Sequence, residues 1–313
     1  MIISASRRTD IPSYYSEWFF NRLKEEYVLV RNPMNIHQVS KIDLSPAVVD
    51  GIVFWTKNPT PMLKKLEKLE KYNYYFQFTL TAYGPEVETG LPSKNKVIIP
   101  AFQRLSKEIG KEKVIWRYDP IFLSETYTID YHCKYFEVLA SKLARYTEKC
   151  TISFLDFYRN TERNMRPLHI QSITVEQQME IIEKLVRIAK KYNLYLDTCA
   201  ESCDFEKFGV SHACCIDKKR FERIGKYKLS VEKDKNQRSA CGCAASIDIG
   251  TYNTCKNGCL YCYANYSHTS VNNNFGRHNF ESPLLFGEIN GEDKIKERNV
   301  KSFIDGQMSL FIL

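Results

Sequence analysis

Ile52-Val53-Phe54-Trp55-Thr56-Lys57-Asn58-Pro59 is an unbroken apolar run that stops at a polar exit and a proline. β-Branched and aromatic residues in continuous series suit a strand buried on both faces, as in a parallel sheet covered by helices. From residue 61 to 72 the pattern changes. Leu63, Leu66 and Leu69 fall on one stripe with lysines and glutamates opposite, which predicts a helix. The same unit recurs along the chain. Residues 2–5, 28–31, 74–80, 114–118, 151–154, 195–197 and 245–249 are the other predicted strands. Helices are predicted over 14–26, 131–146 and 175–192, the last opened by a Thr174/Gln177 capping box. Seven or eight βα units predict an α/β fold, a TIM-like (β/α) barrel, complete or incomplete.

Each predicted strand ends in reactive or hydrogen-bonding side chains. The first ends in Ser6-Arg7-Arg8-Thr9-Asp10, the second in Arg31-Asn32-Pro33, the third in Thr56-Lys57-Asn58-Pro59 and the fourth in Thr79 and Thr81. Later exits carry Arg117-Tyr118-Asp119-Pro120, Asp156-Tyr158-Arg159 and Thr198-Cys199-Ala200-Glu201. In a parallel barrel these ends share one rim, where sites form. Polar residues also mark strand exits in any protein, so the rim needs a second signal.

That signal is Cys255-Lys256-Asn257-Gly258-Cys259-Leu260-Tyr261-Cys262-Tyr263. Three thiolates with gaps of three and two suit a 4Fe–4S cubane with three irons held and one open to a small molecule. The aromatic residue before the third cysteine is typical of radical S-adenosylmethionine (SAM) enzymes. In those enzymes the open iron chelates SAM, and one electron releases a 5′-deoxyadenosyl radical. Zinc is the alternative, but it prefers four closed ligands, and this triplet would need a partner from elsewhere. The loop follows the last predicted strand, whereas in radical SAM barrels it follows the first, so the order here is circularly shifted.

A second candidate site is formed by Cys199, Cys215, Cys241 and Cys243, as an auxiliary 4Fe–4S cluster or zinc. Cys203, Cys214 and His212 are the substitutes, and free thiols are the structural alternative. Gly242 leaves the backbone of the tight pair free to wrap a metal. Cys133 and Cys150 read as buried apolar cysteines.

A length of 313 residues suits one large domain, taken as a barrel over 1–265 with its cysteine-rich region at 199–265, then an extension and tail over 266–313. The formal charge of +8 is compatible with an anionic partner. Between Asp217 and Arg238, nine basic residues face four acidic ones, as either a solvated surface or a phosphate-binding patch. No run of about 18 apolar residues offers a membrane span, and no secretory leader is evident. The expectation is a cytoplasmic protein without a membrane partner, in which clustered cysteines mean metal or redox chemistry.

Over almost its whole length the chain resembles the uncharacterised prokaryotic family named domain of unknown function eighteen forty-eight. The resemblance rests on Ser4-Ala5-Ser6-Arg7-Arg8-Thr9-Asp10, Phe54–Pro59, Trp116–Pro120, Thr198–Glu201, Cys215-Ile216-Asp217, Gln237-Arg238 and the run from Cys241 to Asn265. It implies a C-terminal cysteine cluster similar to that of radical SAM enzymes and leaves the substrate open.

Residue roles follow from chemistry. No Gly-Gly-Glu segment of the kind that holds the SAM amino group is present, so Asn32, Lys57, Asn58 or Glu201 must supply that contact. Arg7, Arg8, Lys57 and Arg117 offer charge-assisted contacts to carboxylates or phosphates. Asp10, Asp119 and Glu201 could orient ribose hydroxyls or the arginines, and an Arg7–Asp10 salt bridge is the structural alternative. The expected substrate is anionic, a phosphorylated metabolite or nucleic acid, and an electron donor is required.

Near the end of the chain, Gln307-Met308-Ser309-Leu310-Phe311 resembles the short peptide by which bacterial repair proteins dock on the sliding clamp. Gln307 would hydrogen-bond, while Leu310 and Phe311 would fill an apolar pocket. The competing class is a non-catalytic iron–sulfur or zinc metalloprotein that binds nucleic acid or a repair partner. Metal-assisted hydrolysis is disfavoured, because six scattered histidines form no His-carboxylate ligand set.

Overall fold

The computed structural model describes residues 1–238 and 240–305. Its centre is an eight-stranded sheet in which every neighbouring pair is parallel. The strands of the chain are β1 (Ile2–Ala5), β2 (Tyr27–Asn32), β3 (Asn35–Asp43), β4 (Gly51–Thr56), β5 (Tyr74–Thr79) and β6 (Val114–Ile121). There follow β7 (Lys149–Phe154), β8 (Tyr195–Thr198), β9 (Ser211–His212), β10 (Ile247–Asp248) and β11 (Lys294–Glu297). The large sheet runs β10-β1-β4-β5-β6-β7-β8-β9, so the last of these strands in sequence lies beside the first.

The continuous apolar runs have a simple cause. Alternate residues Ile3, Phe54, Phe76 and Trp116 join the main core, under the helices. Their neighbours Ile2, Val53, Tyr75 and Ile115 face the other way and pack against Cys215, Ile216, Phe221, Cys241, Cys243 and Ala244. Both faces are therefore buried, and a period-two polar stripe has nowhere to appear. The helix Val175–Lys191 carries the expected capping box and buries Ile181, Ile182, Leu185 and Val186. Helix Ile129–Leu143 starts at a Thr128 cap, and Ile99–Ile109 is a further helix that the sequence reading did not include.

Two expectations are corrected. The strand at 28–31 does not join the large sheet; β2 pairs antiparallel with β3, which also holds β11, in a separate three-stranded sheet. A short β-branched run signals a strand but does not name its neighbour. The stretch 61–72 is not one helix but a short turn, Thr60–Leu63, and a 3₁₀ turn, Leu66–Leu69. Spacing of three between leucines satisfies 3₁₀ geometry as well as an α-helical stripe.

Residues 266–305 pack back on the N-terminal half. Trp18 Nε1 donates to Ser282 O at 2.9 Å and Arg22 Nη2 to Glu281 O at 2.9 Å, while the Met1 ammonium donates to Lys301 O at 2.8 Å. Among the described residues no helix is long and apolar enough to cross a membrane. Gln307, Leu310 and Phe311, expected to carry a docking peptide, lie outside the described residues.

Candidate metal centre

Asp248, at the end of β10, gathers the exit of β1. It accepts from Ser4 Oγ (2.6 Å), Ser6 Oγ (2.7 Å), Arg7 N (2.9 Å) and Gly250 N (2.9 Å). The chain then enters the cysteine loop, which is held from several sides. Tyr15 donates to Thr254 O at 2.6 Å and Tyr14 to Asn257 Oδ1 at 2.9 Å, while Asn257 Nδ2 donates to Asp10 Oδ2 at 3.0 Å. On the far side, Leu260 N donates to Val87 O (2.9 Å) and Gly90 N to Asn257 O (3.0 Å). A side chain at Gly90 would bring its Cβ to 2.1 Å from Lys256 O, so only glycine permits this approach. Gly258 supplies the left-handed turn, with φ of +64°.

The loop brings Cys255, Cys259 and Cys262 to the wall of one cavity of about 450 Å³. Burial raises all three thiols, that of Cys259 to about 12, and neighbouring cysteines add to the cost of ionising Cys255 and Cys259. Opposing this, the backbone of Asn257 hydrogen-bonds Cys255, that of Ala264 and Asn265 hydrogen-bonds Cys262, and the Lys57 ammonium lies near Cys259. The N–H donors partly offset the cost of burial, and a bound cation would turn the three thiols into thiolates. Among the described residues, no three His, Cys, Asp or Glu side chains are gathered round a single metal position. A cubane does not require that, because each cysteine binds a different iron. The donor set thus fits a cluster.

Behind Cys259 lies a network the sequence reading missed. Glu88, only 1% exposed, takes Lys57 Nζ on Oε1 at 2.7 Å and the Lys94 ammonium on Oε2. Thr81 Oγ1 donates to Oε1 at 3.0 Å and the Tyr261 hydroxyl donates there as well, while Lys57 Nζ also reaches Tyr261 Oη at 2.7 Å. Burial would raise the Glu88 carboxyl, but the two lysines outweigh it and hold it at about 2. Lys57, expected to hold SAM or substrate, lines the cavity and joins Glu88 to the tyrosine of the cysteine loop. Glu88 sits in an aperiodic stretch, and nothing local marked it.

The other expected residues divide by position. Arg7, Arg8, Asp10, Lys57, Arg117 and Asp119 line the cavity; Asn32, Asn58 and Glu201 do not. Asn32 bonds Gln38 Oε1 at 2.9 Å in the exposed β2–β3 hairpin. Asn58 Oδ1 accepts from Thr60 Oγ1 at 2.6 Å. Glu201 Oε1 accepts from Phe154 N at 2.9 Å, and burial pushes its carboxyl up to about 7. These three therefore serve turns and backbone. Asp10 caps the helix at Ile11–Tyr14 through Ser13 N (3.0 Å) and accepts from Lys57 N (2.8 Å); the anticipated Arg7 salt bridge is not its role.

Arg117 pairs with Asp119, its Nε 2.9 Å from Oδ2, and places Nη1 2.9 Å from Cys215 Sγ. Arg7 lies over the Trp55 ring at 5.2 Å, and its buried Nη2 has no hydrogen-bond partner. Arg8 stacks on Tyr252 at 5.0 Å.

Cys199, Cys215, Cys241 and Cys243 reach the same cavity. Their contacts run pairwise: Cys199 Sγ to Cys215 Sγ at 3.1 Å, Cys215 to Cys243, and Cys243 to Cys241. Among the substitutes, Cys203 packs against the main core and His212 is exposed on β9. Cys214 fills the space over Gly242, its Sγ 2.8 Å from where a Cβ would stand. Cys150 is buried and Cys133 half-buried.

No curated protein matches the sequence. A family model matches residues 2–264, and the chain belongs to that family, described as domain of unknown function DUF1848.

Proposed function

We propose that this DUF1848 member is a radical SAM-type iron–sulfur enzyme acting on an anionic substrate. The observation that carries the reading is the placement of Cys255, Cys259 and Cys262 on the wall of a cavity at the C-terminal ends of β1, β4, β5, β6, β7 and β8. A 4Fe–4S cluster held there would supply one-electron reduction and an open iron for SAM, whose cleavage yields the 5′-deoxyadenosyl radical.

The chain's own residues do the positioning. Glu88, Lys57 and Tyr261 fix the loop between the second and third cysteines. Backbone N–H groups on the sulfurs of Cys255 and Cys262 would tune the reduction potential. Lys57 and Arg117 already meet carboxylates, so the anionic groups of SAM or substrate fall to Arg7 and Arg8. The substrate class is a phosphorylated metabolite or nucleic acid, and an external electron donor completes the reaction.

The same reading takes the sheet as a barrel closed through residues 213–216 and 241–245, with a permuted strand order. Supporting it, Ala244 N donates to Ile216 O at 3.0 Å, and Tyr75 and Gln77 on β5 reach across to Cys215 O at 2.7 and 2.8 Å. Eleven unbridged cysteines fit a reducing, cytoplasmic setting.

The test is anaerobic reconstitution with iron and sulfide, reduction with dithionite, and assay of 5′-deoxyadenosine from SAM. Product that disappears in Cys259→Ala supports the enzyme. Intact SAM beside a reduced cluster would make the protein a non-catalytic metalloprotein.

A further inference from the structure

The four cysteines of the second group have more built around them than a set of spare thiols needs. Cys215, Cys241 and Cys243 are 5%, 7% and 1% exposed. They come from three separate places: the end of β8 gives Cys199, the segment after β9 gives Cys215, and the approach to β10 gives Cys241 and Cys243. That convergence is fixed by backbone contacts independent of the sulfurs. Ala244 N donates to Ile216 O at 3.0 Å, and Tyr75 and Gln77 both hold Cys215 O.

Spacing then narrows the occupant. A 4Fe–4S cluster separates its cysteine sulfurs by the width of the cluster, whereas a tetrahedral zinc–thiolate bond of about 2.3 Å places them about 3.8 Å apart. The Cys199–Cys215 separation of 3.1 Å is shorter than either spacing and belongs with the compact class. Two guanidiniums attend the group. Arg117 Nη1 is 2.9 Å from Cys215 Sγ. Arg7 lies near Cys215 and Cys243 and keeps a buried, unpartnered Nη2. Neutral thiols give a buried guanidinium poor compensation. Four thiolates round one divalent ion leave a doubly negative centre beside Arg7, whose buried Nη2 has no other partner among the described residues; an oxidised 4Fe–4S cluster on four thiolates carries the same charge, so spacing alone separates the two occupants.

We propose that Cys199, Cys215, Cys241 and Cys243 form a closed tetrathiolate site for a single zinc-class divalent ion, separate from the Cys255–Cys259–Cys262 loop. Binding releases four thiol protons to solvent and changes no oxidation state. The sulfurs stand pairwise and not yet round one point, so the ion draws them in and ties β8, the β9 exit and the β10 approach together. A closed site has no coordination position for substrate. Its place in the same cavity makes it a wall, and Arg117 bridges it to Asp119. The proposal does not depend on the loop cluster being catalytic.

The test uses the full chain, purified anaerobically, with metal and acid-labile sulfide measured in three forms. Wild type is expected to hold about one zinc per chain. A Cys255→Ser/Cys259→Ser/Cys262→Ser variant is expected to keep that zinc, and Cys243→Ser to lose at least about nine-tenths of it while still assembling iron and sulfide on reconstitution. If Cys243→Ser fails to fold, cobalt exchange into wild type gives a second reading. An intense thiolate-to-cobalt absorption with tetrahedral ligand-field bands is expected, and is retained in the loop variant. The proposal is overturned by wild type free of zinc and unable to take cobalt, by zinc lost with the loop cysteines, or by iron and acid-labile sulfide that persist in the loop variant.

Discussion

At the scale of single residues, buried charge separates what was legible from what was not. Lys57 and Arg117 stood out because charged side chains beside strand-ending prolines are conspicuous in a sequence. Asp119, the partner of Arg117, stood out with it, but Glu88, the partner of Lys57, did not. Glu88 lies in a stretch with no period to place it, and its meaning arises only where Lys57, Lys94 and Tyr261 close on it. Glu88→Gln keeps the shape and removes the counter-charge of the buried Lys57 and the half-buried Lys94. Breaking such a pair costs about 3–5 kcal/mol, and urea unfolding should show a loss of that order. A loss below about 1 kcal/mol would mean that the lysines are solvated and the network does not hold the loop.

A second residue gives a pH signature away from the cysteines. His132 is buried between Tyr118 Oη (2.9 Å) and Phe122 O (2.9 Å), and burial lowers it from 6.5 to about 4. A base with a depressed folded value stabilises the fold fully above pH 6.5, and loses that contribution as pH falls from 6.5 through 4. Thermal unfolding of wild type should therefore fall over that window, and the slope should shrink in His132→Gln. Equal slopes in the two proteins would assign the acid sensitivity to other groups.

At the scale of elements, the βα pattern was legible because strands buried on both faces print unbroken apolar runs. It failed where the signal was ambiguous in principle. Residues 28–31 have strand chemistry, but their partner is β3, so the polar exit at Asn32 turns into a hairpin and never reaches the cavity. Leu63, Leu66 and Leu69 keep their buried positions in two short turns because 3₁₀ and α geometries share a spacing of three.

The cysteine loop depends on an element that has no regular structure, the segment 84–91. Gly90→Ala would place a Cβ 2.1 Å from Lys256 O. It is expected to part the segment from the loop and to cut the iron retained after anaerobic reconstitution by more than about half, with the global unfolding temperature little changed. Wild-type iron content in this variant would show that the contact does not shape the site.

At the scale of the whole molecule, the parallel sheet has one face under helices and the other under residues 199–244. The arrangement carries two cysteine groups to one cavity, the first from the loop after β10 and the second from the segments that flank β9 and β10. Sequence spacing could mark each group but could not show that they face a common space. That follows from strand order, since β10 returns to lie beside β1. The rim also proved less cationic than its composition suggested. Arg117, Lys57 and Arg238 meet Asp119, Glu88 and Asp156, leaving Arg7 and Arg8 as the basic groups of the cavity without a carboxylate partner among the described residues.

The proposed chemistry depends on an open iron at Cys255, Cys259 and Cys262. Its most direct measurement is electron paramagnetic resonance of the reconstituted, reduced full chain with and without SAM. A reduced-cluster signal that changes in g values when SAM is added and is missing from Cys259→Ala is expected. A reduced-cluster signal that SAM leaves unaltered would contradict it.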